Sequence, residues 1–206
     1  MKLGFRLLCV TDRYATGGRD LIEVVNVLVR AGLGSVQIRE KDLPDDEFRT
    51  LAQSLIGMDH FRPVEWFFNS RVSLAREFGA GLHLPEASDV RAAREVLGGS
   101  VSIGVSAHSI HAALGAERDG ATFIVYGPVY SPISKSSGGS PCGVETLSRV
   151  ARAVGIPVVA IGGITPANAR ACLTAGAQAV AAVGSLLGAG DVRKALMEYL
   201  PALGRL

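Results

Sequence analysis

Gln37, Arg39 and Lys41 recur at every second position of the stretch SVQIREKD, residues 35–42. On a strand that spacing sends these three side chains to one face and Val36, Ile38 and Glu40 to the other. An amide beside two cations is a receptor for an anion. Arginine forks onto phosphate or carboxylate, and lysine serves as a point charge. An internal ion pair, with Glu86 or Asp89 for example, is the alternative use of the same charges. A second anion site is suggested by AIGGITP, 160–166. There Gly162 and Gly163 leave backbone N–H groups exposed after an apolar run, Thr165 is a good N-cap, and Pro166 suits the first helical turn. Val183, Gly184 and Ser185 offer further N–H groups after the last apolar run. A proton-transfer group is present in GVSAHSIHAAL, 104–114, where His108 stands near the hydroxyls of Ser106 and Ser109. Imidazole is suited to proton transfer near neutrality. His83 lies inside an apolar run, and His60 and His111 read as surface residues.

These groups need a scaffold that brings them together. Short apolar runs occur at 7–10, 35–38, 64–68, 81–84, 101–105, 123–126, 158–161 and 179–183. Amphipathic segments at 19–32, 45–57, 70–78, 88–97, 109–119, 144–154, 166–175 and 190–202 alternate with them. Strands alternating with helices imply a parallel sheet, and eight such units close into a barrel. The expected fold is therefore an α/β, single-domain TIM (β/α)8 barrel over 1–206. The rival, a doubly wound open sheet, usually has a glycine-rich first turn, and TDRYATGG at 11–18 lacks GxGxxG. In a barrel the site lies at the C-terminal strand ends, with phosphate commonly held after strands seven and eight. That rule gathers Thr11 to Arg13, Arg39 to Lys41, Asn69 to Arg71, His83, Ser106 to His108, Gly127-Pro128, Gly162-Gly163 and Gly184-Ser185 at one mouth. The irregular stretch 128–143, PVYSPISKSSGGSPCG, suggests a mobile lid.

Composition excludes several classes. With 206 residues, 48% of them hydrophobic, and a mean hydropathy of +0.30, the chain can bury a full core. No apolar run approaches the roughly 18 residues of a membrane span. LLCV is too short for a signal-peptide core, so a cytoplasmic protein is expected. A net charge of +2 without a basic block gives no footprint for nucleic acid. Cys9, Cys142 and Cys172 are odd in number and lack CxxC spacing, which argues against a disulfide framework or a zinc site.

Taken in order, SVQIREKD, FFNSRVSLA, GLHLPEASD, IGVSAHSIHAA, GPVYSPISK and VVAIGGITPANA resemble the thiamine phosphate synthase/TenI superfamily of TIM barrels. The resemblance covers six of the eight units. It implies an enzyme of thiamine biosynthesis whose partner is a small phosphate substrate. Barrels of this kind often pair, so a homodimer is also expected. The superfamily holds two activities. A synthase joins hydroxymethylpyrimidine diphosphate to thiazole phosphate with Mg²⁺. A TenI-type thiazole tautomerase moves a proton on carboxythiazole phosphate and needs no cofactor.

The resemblance implies that Gln37, Arg39, Lys41, Asn69, Ser106, Ser134, Lys135, Gly163, Val183 and Gly184 bind substrate. It also implies that His108 carries the proton. Asp89 matches a Mg²⁺ aspartate if the chain is a synthase. The departures fall on the diphosphate half. Asn69 is followed by Ser70 where synthases have Asp. His83-Leu84 is followed by Pro85-Glu86 where they have Gly-Gln. Pro132 replaces a loop hydroxyl. Mg²⁺ is normally held through carboxylates, so the tautomerase is the expectation. Thiamine phosphate synthase is the alternative, and a non-catalytic thiazole-phosphate-binding regulator is the second alternative.

Overall fold

A computed structural model describes residues 2–58, 62–131 and 140–204. Its order is β1 (Leu7–Val10), α1 (Leu21–Arg30), β2 (Ser35–Ile38), α2 (Asp45–Ile56), β3 (Glu65–Asn69), α3 (Val72–Phe78), β4 (Gly81–Leu84), α4 (Val90–Leu97), β5 (Ile103–Ala107) and α5 (Ile110–Arg118). It continues with β6 (Phe123–Tyr126), α6 (Gly143–Ala153), β7 (Val158–Ala160), α7 (Pro166–Thr174), β8 (Ala179–Ala182), α8 (Gly184–Leu187) and α9 (Val192–Leu203). The strands are parallel and close on themselves, β1 pairing with both β2 and β8. This is the expected TIM barrel. The eight amphipathic segments correspond to α1–α7 and α9. The short helix α8, directly after β8, is an addition that no hydrophobic period announces.

Local chemistry sets the helices. The Asp20 side chain caps α1 by accepting the Glu23 N–H at 3.0 Å. Leu21, Val24, Val25, Leu28 and Val29 then recur at helical spacing and are buried against the barrel. The main core lies in this layer, between strands and helices, and contains Val36 and Ile38 from the outer side of β2. A second cluster fills the barrel interior with Phe5, Leu8, Val10, Phe67, Phe123, Val125, Val159, Ala179 and Ala181.

The interior is graded along its axis. At the base, Phe5, Phe67 and Phe123 meet edge to face, with centroids 5.4–6.3 Å apart. Their bulk fits because β4 and β5 carry glycine opposite them: Phe67 pairs with Gly81 and Phe123 with Gly104. A Cβ on Gly104 would fall 2.2 Å from Phe123 Cζ, and one on Gly81 2.5 Å from Phe67 Cδ1. Two residues further along, the inward positions turn polar: Asn69 follows Phe67, His83 follows Gly81 and Ser106 follows Gly104. An apolar plug therefore supports a polar floor at the C-terminal mouth, which is the layered filling of such barrels.

Candidate active site

The mouth opens into a cleft of about 1030 Å³ lined by Gln37, Arg39, His83, Ser106, His108 and the ends of β7 and β8. Its floor is a hydrogen-bonded row. Gln37 Nε2 donates to His83 Nδ1 at 2.6 Å, which places the ring proton on Nε2, and Nε2 donates to Ser106 Oγ at 3.1 Å. Ser106 thereby keeps its own hydroxyl proton for the cleft. Asn69 Nδ2 bonds the His83 carbonyl at 3.2 Å and Ser70 Oγ at 3.1 Å. Burial, and then the charges of Arg39 and Lys41, push the His83 ring down to about 4. The ring is therefore neutral at ordinary pH and structural rather than basic.

The two cations are not neutralised from within. Neither Arg39 nor Lys41 forms an ion pair among the described residues. The carboxylates weighed as partners are otherwise engaged. Glu86 accepts the His108 N–H at 3.0 Å, and Asp89 caps α4 through Ala92 N–H at 2.9 Å.

Two expectations for this stretch need correction. The pairing of β2 ends at Ile38, so alternation holds for Gln37 and Arg39 but not beyond. Lys41 instead lines a neighbouring cleft of about 620 Å³ with Asn69, Ser70 and Arg71. Glu40, expected on the helix side with Val36 and Ile38, is buried beneath the first loop. There it accepts the Thr11 hydroxyl at 2.7 Å, the Arg13 N–H at 3.2 Å and Arg13 Nη1 at 3.1 Å. Thr11 Oγ1 in turn accepts the Arg39 N–H at 2.9 Å. A buried, fully partnered carboxylate thus fixes the backbone from which Arg39 reaches the cleft. Arg13 also grips Asp42 and, with Tyr14, holds that carboxyl down at about 2.

His108 follows β5 as expected, with its side chain 63% exposed at the cleft edge. Its Nδ1 lies 2.6 Å from the Gly127 carbonyl, which can only accept, so Nδ1 carries a proton. Nε2 is left for proton exchange, with Glu86 Oε2 3.7 Å away.

The ends of β7 and β8 form the opposite wall. Asn168 Nδ2 takes the Gly163 carbonyl at 2.9 Å, and the Val183 carbonyl accepts the N–H groups of Leu186 and Leu187 at 3.0 and 2.9 Å. With the carbonyls turned away, the N–H groups of Gly163 and Gly184 have no acceptor among the described residues. Free N–H groups of this kind hold an anion. The glycine pair has a further cause. Gly162 and Gly163 have φ of +96° and +60°, and a Cβ on them would lie 2.4 Å from Pro128 Cα and Ser131 O respectively. Gly184 faces open space.

Ser134 and Lys135 lie outside the described residues, as does half of the expected lid, 132–139. Asp89 is exposed, committed to its cap, and lines neither cleft. Ser70 brings a hydroxyl where a carboxylate would be needed, and no group of three His, Cys, Asp or Glu gathers among the described residues. Among the described residues this half therefore offers one carboxylate fewer than the Mg²⁺ site that the resemblance implies. Sequence reasoning gathers His83 at the fourth strand end but gives it no role, although Leu82-His83-Leu84 repeats the parity of Val36-Gln37-Ile38. Nothing in the sequence marks Glu40, which follows its strand. No described helix is long and apolar enough to cross a membrane.

Comparison with known proteins bears on the identity of this mouth. The family described as thiamine monophosphate synthase, TMP-TENI, matches residues 7–186. A Geobacter sulfurreducens protein provisionally named thiamine-phosphate synthase is 40% identical over 205 residues, covering 97% of this chain and 96% of that one. A thiamine-phosphate synthase of Roseiflexus castenholzii is 37% identical over 185 residues, covering 88% and 81%. The solved thiamine phosphate pyrophosphorylase of Pyrococcus furiosus superposes with a TM-score of 0.79 at 30% identity, covering 97% of this chain and 95% of that one. A 3-hexulose-6-phosphate synthase at 16% identity and a TM-score of 0.74 shares the fold alone. These names support the synthase alternative of the sequence reading more directly than the tautomerase.

Proposed function

The chain belongs to the thiamine monophosphate synthase/TenI family, and from that premise we propose that it acts on a thiazole phosphate in thiamine biosynthesis as a tautomerase. The observation that carries this reading is the pairing of a proton-transfer group with a poor diphosphate half. His108 Nδ1 is tied to the Gly127 carbonyl, which leaves Nε2 for proton exchange, whereas Ser70 supplies a hydroxyl where the diphosphate half of a synthase is expected to carry a carboxylate. In this reading the N–H groups of Gly163 and Gly184 anchor the phosphate. Ser106 and Asn69 meet the ring or its substituents, and Arg39 or Lys41 holds the carboxylate. Neutral His108 Nε2 takes a proton from the ring carbon. The resulting imidazolium is steadied by Glu86 and the Gly127 carbonyl. The proton is then returned at the neighbouring position as the ring becomes aromatic, so the enzyme ends as it began. One positioned acid/base of this kind contributes about 10²–10⁴-fold, and the proton shift itself calls for no metal.

The second reading is thiamine phosphate synthesis, which the names of the relatives favour. The two are separated by assaying the protein on carboxythiazole phosphate, and separately on hydroxymethylpyrimidine diphosphate with thiazole phosphate and Mg²⁺. Proton transfer that disappears in His108→Asn supports the tautomerase. Efficient thiamine phosphate formation by the unaltered protein overturns it in favour of the synthase. Binding without turnover in either assay would leave the regulator.

A further inference from the structure

The N–H groups of Gly163 and Gly184 can meet one anion only if two separate loops hold a fixed relation. Two hydroxyl groups that meet on one carbonyl behind the cleft supply it. Tyr199 lies on α9, is fully buried, and is remote in sequence from every motif discussed above. Its hydroxyl donates to the Ile164 carbonyl at 3.1 Å. The same carbonyl accepts Ser185 Oγ–H at 2.8 Å. The Ser185 and Tyr199 oxygens are themselves 2.8 Å apart. Ile164 directly follows the glycine pair, and Ser185 directly follows Gly184.

We propose that Tyr199 is a positioning residue for phosphate binding. Its buried hydroxyl, together with Ser185, draws the Ile164 carbonyl away from the cleft and sets the spacing between the Gly163 and Gly184 N–H groups. The inference rests on the phosphate-anchoring reading above.

The geometry favours this role over a simple core contact. A tyrosine buried for packing alone could be phenylalanine, since the ring supplies the apolar area and the hydroxyl must be satisfied at a cost. Here the hydroxyl donates to a carbonyl in one cradle loop and lies 2.8 Å from a side-chain hydroxyl in the other. Burial raises the phenol to about 12, so it remains a donor throughout the working pH range. The Ile164 carbonyl, accepting two donors, is also prevented from turning its negative end toward a bound anion. The Gly163 carbonyl is restrained in parallel by Asn168, whose Oδ1 accepts the Thr165 N–H at 2.8 Å. The anion-facing surface is therefore made of backbone, and its orientation comes from side chains behind it.

The test compares the unaltered protein with Tyr199→Phe and Ser185→Ala, using inorganic phosphate and thiazole phosphate as probes and dephosphorylated thiazole as the control. Phosphate affinity should fall about 5- to 20-fold in Tyr199→Phe and by a similar factor in Ser185→Ala, magnitudes in line with loss of one or two hydrogen bonds. Affinity for the dephosphorylated ring should stay unchanged, a separation that general loosening of the fold would not give. Ser185→Ala keeps the test decisive should the buried Tyr199 variant not fold. Unchanged phosphate affinity in both folded variants, or equal losses for the phosphorylated and dephosphorylated rings, would overturn the positioning role alone. Failure of the unaltered protein to discriminate between the two rings would overturn the phosphate-anchoring reading, and the inference with it.

Discussion

His83 gives the site a pH signature that can be measured without knowing the substrate. Its ring is neutral in the native state, held down to about 4 by burial first and then by Arg39 and Lys41, against 6.5 for a free histidine. Between those two values the unfolded chain binds a proton at this position and the native chain does not. Stability is therefore full above about pH 6.5, falls as the pH drops through this window, and has lost the whole contribution once the native ring also protonates near pH 4. A gap of that width corresponds to roughly 3 kcal/mol, of which about 2–3 kcal/mol is already lost at about pH 4.5.

Replacing His83 by Asn removes the titration. At about pH 7.5 the variant should be less stable by about 1–2 kcal/mol, because the partners of Gln37 and Ser106 are lost. At about pH 4.5 the disadvantage should vanish or reverse, since only the unaltered protein carries the acid penalty. Urea unfolding of both proteins across this range isolates the effect, because the titrating carboxylates are common to both and cancel in the difference. A stability difference that stays constant between about pH 7.5 and 4.5 would show that His83 titrates alike folded and unfolded, and would refute the neutral Gln37–His83–Ser106 row. Repeating the measurement with Arg39→Ala in both backgrounds should shrink the pH dependence, since one of the two depressing charges is gone.

Other outcomes follow from the same geometry. His108→Gln should lose about 10²–10⁴-fold in turnover on carboxythiazole phosphate, with an unchanged unfolding midpoint because the side chain is largely exposed. Ser70 occupies a left-handed backbone conformation at φ +63°. Ser70→Gly should therefore raise stability by a few tenths to about 1 kcal/mol in chemical denaturation, and Ser70→Asp should fold normally, since Asp tolerates this region. The Asp variant should also acquire Mg²⁺-dependent thiamine phosphate formation above the level of the unaltered protein, read by thiochrome fluorescence. Thr11→Val should destabilise by about 1–3 kcal/mol by leaving the buried Glu40 carboxylate short of a donor. It should also weaken anion binding, since Thr11 holds the Arg39 backbone.

The barrel was legible because it is written in repeated local signals. Each strand is a short apolar run, most of the long helices show a 3.6-residue period, and the alternation of the two admits few topologies. The parity of Gln37 and Arg39 and the glycine pair before Pro166 could be read for the same reason, being patterns within one segment. The limits were also physical. Alternation predicts a side only while a strand remains paired, so it placed Gln37 and Arg39 correctly and misplaced Lys41 and Glu40 once the pairing of β2 had ended. Asp89 matches a family position by sequence, and its Oδ1 caps α4, a use the family position does not announce. Tyr199 and Ser185 carry no sequence mark because their meeting depends on the closure of the barrel and the packing of α9, contacts separated from Ile164 by 35 and 21 residues.

The two halves of the mouth differ in how they tolerate substitution, and this bears on how one family can hold two reactions. The wall proposed to anchor phosphate is built from backbone N–H groups, whose charge and spacing survive side-chain replacement so long as the loops keep their geometry. The opposite half depends on side-chain charges, and each exchange there changes the net charge presented to a ligand. Replacing a carboxylate by Ser70 removes a ligand for a cation but leaves Lys41 and Arg39 unpaired among the described residues, so the half remains attractive to an anion. A directly bound carboxylate, with no metal between, matches that balance better than a metal-bridged diphosphate. On the tautomerase reading proposed above, a chain with this charge pattern keeps the thiazole-phosphate anchor and exchanges the partner substrate for a substituent on the same ring.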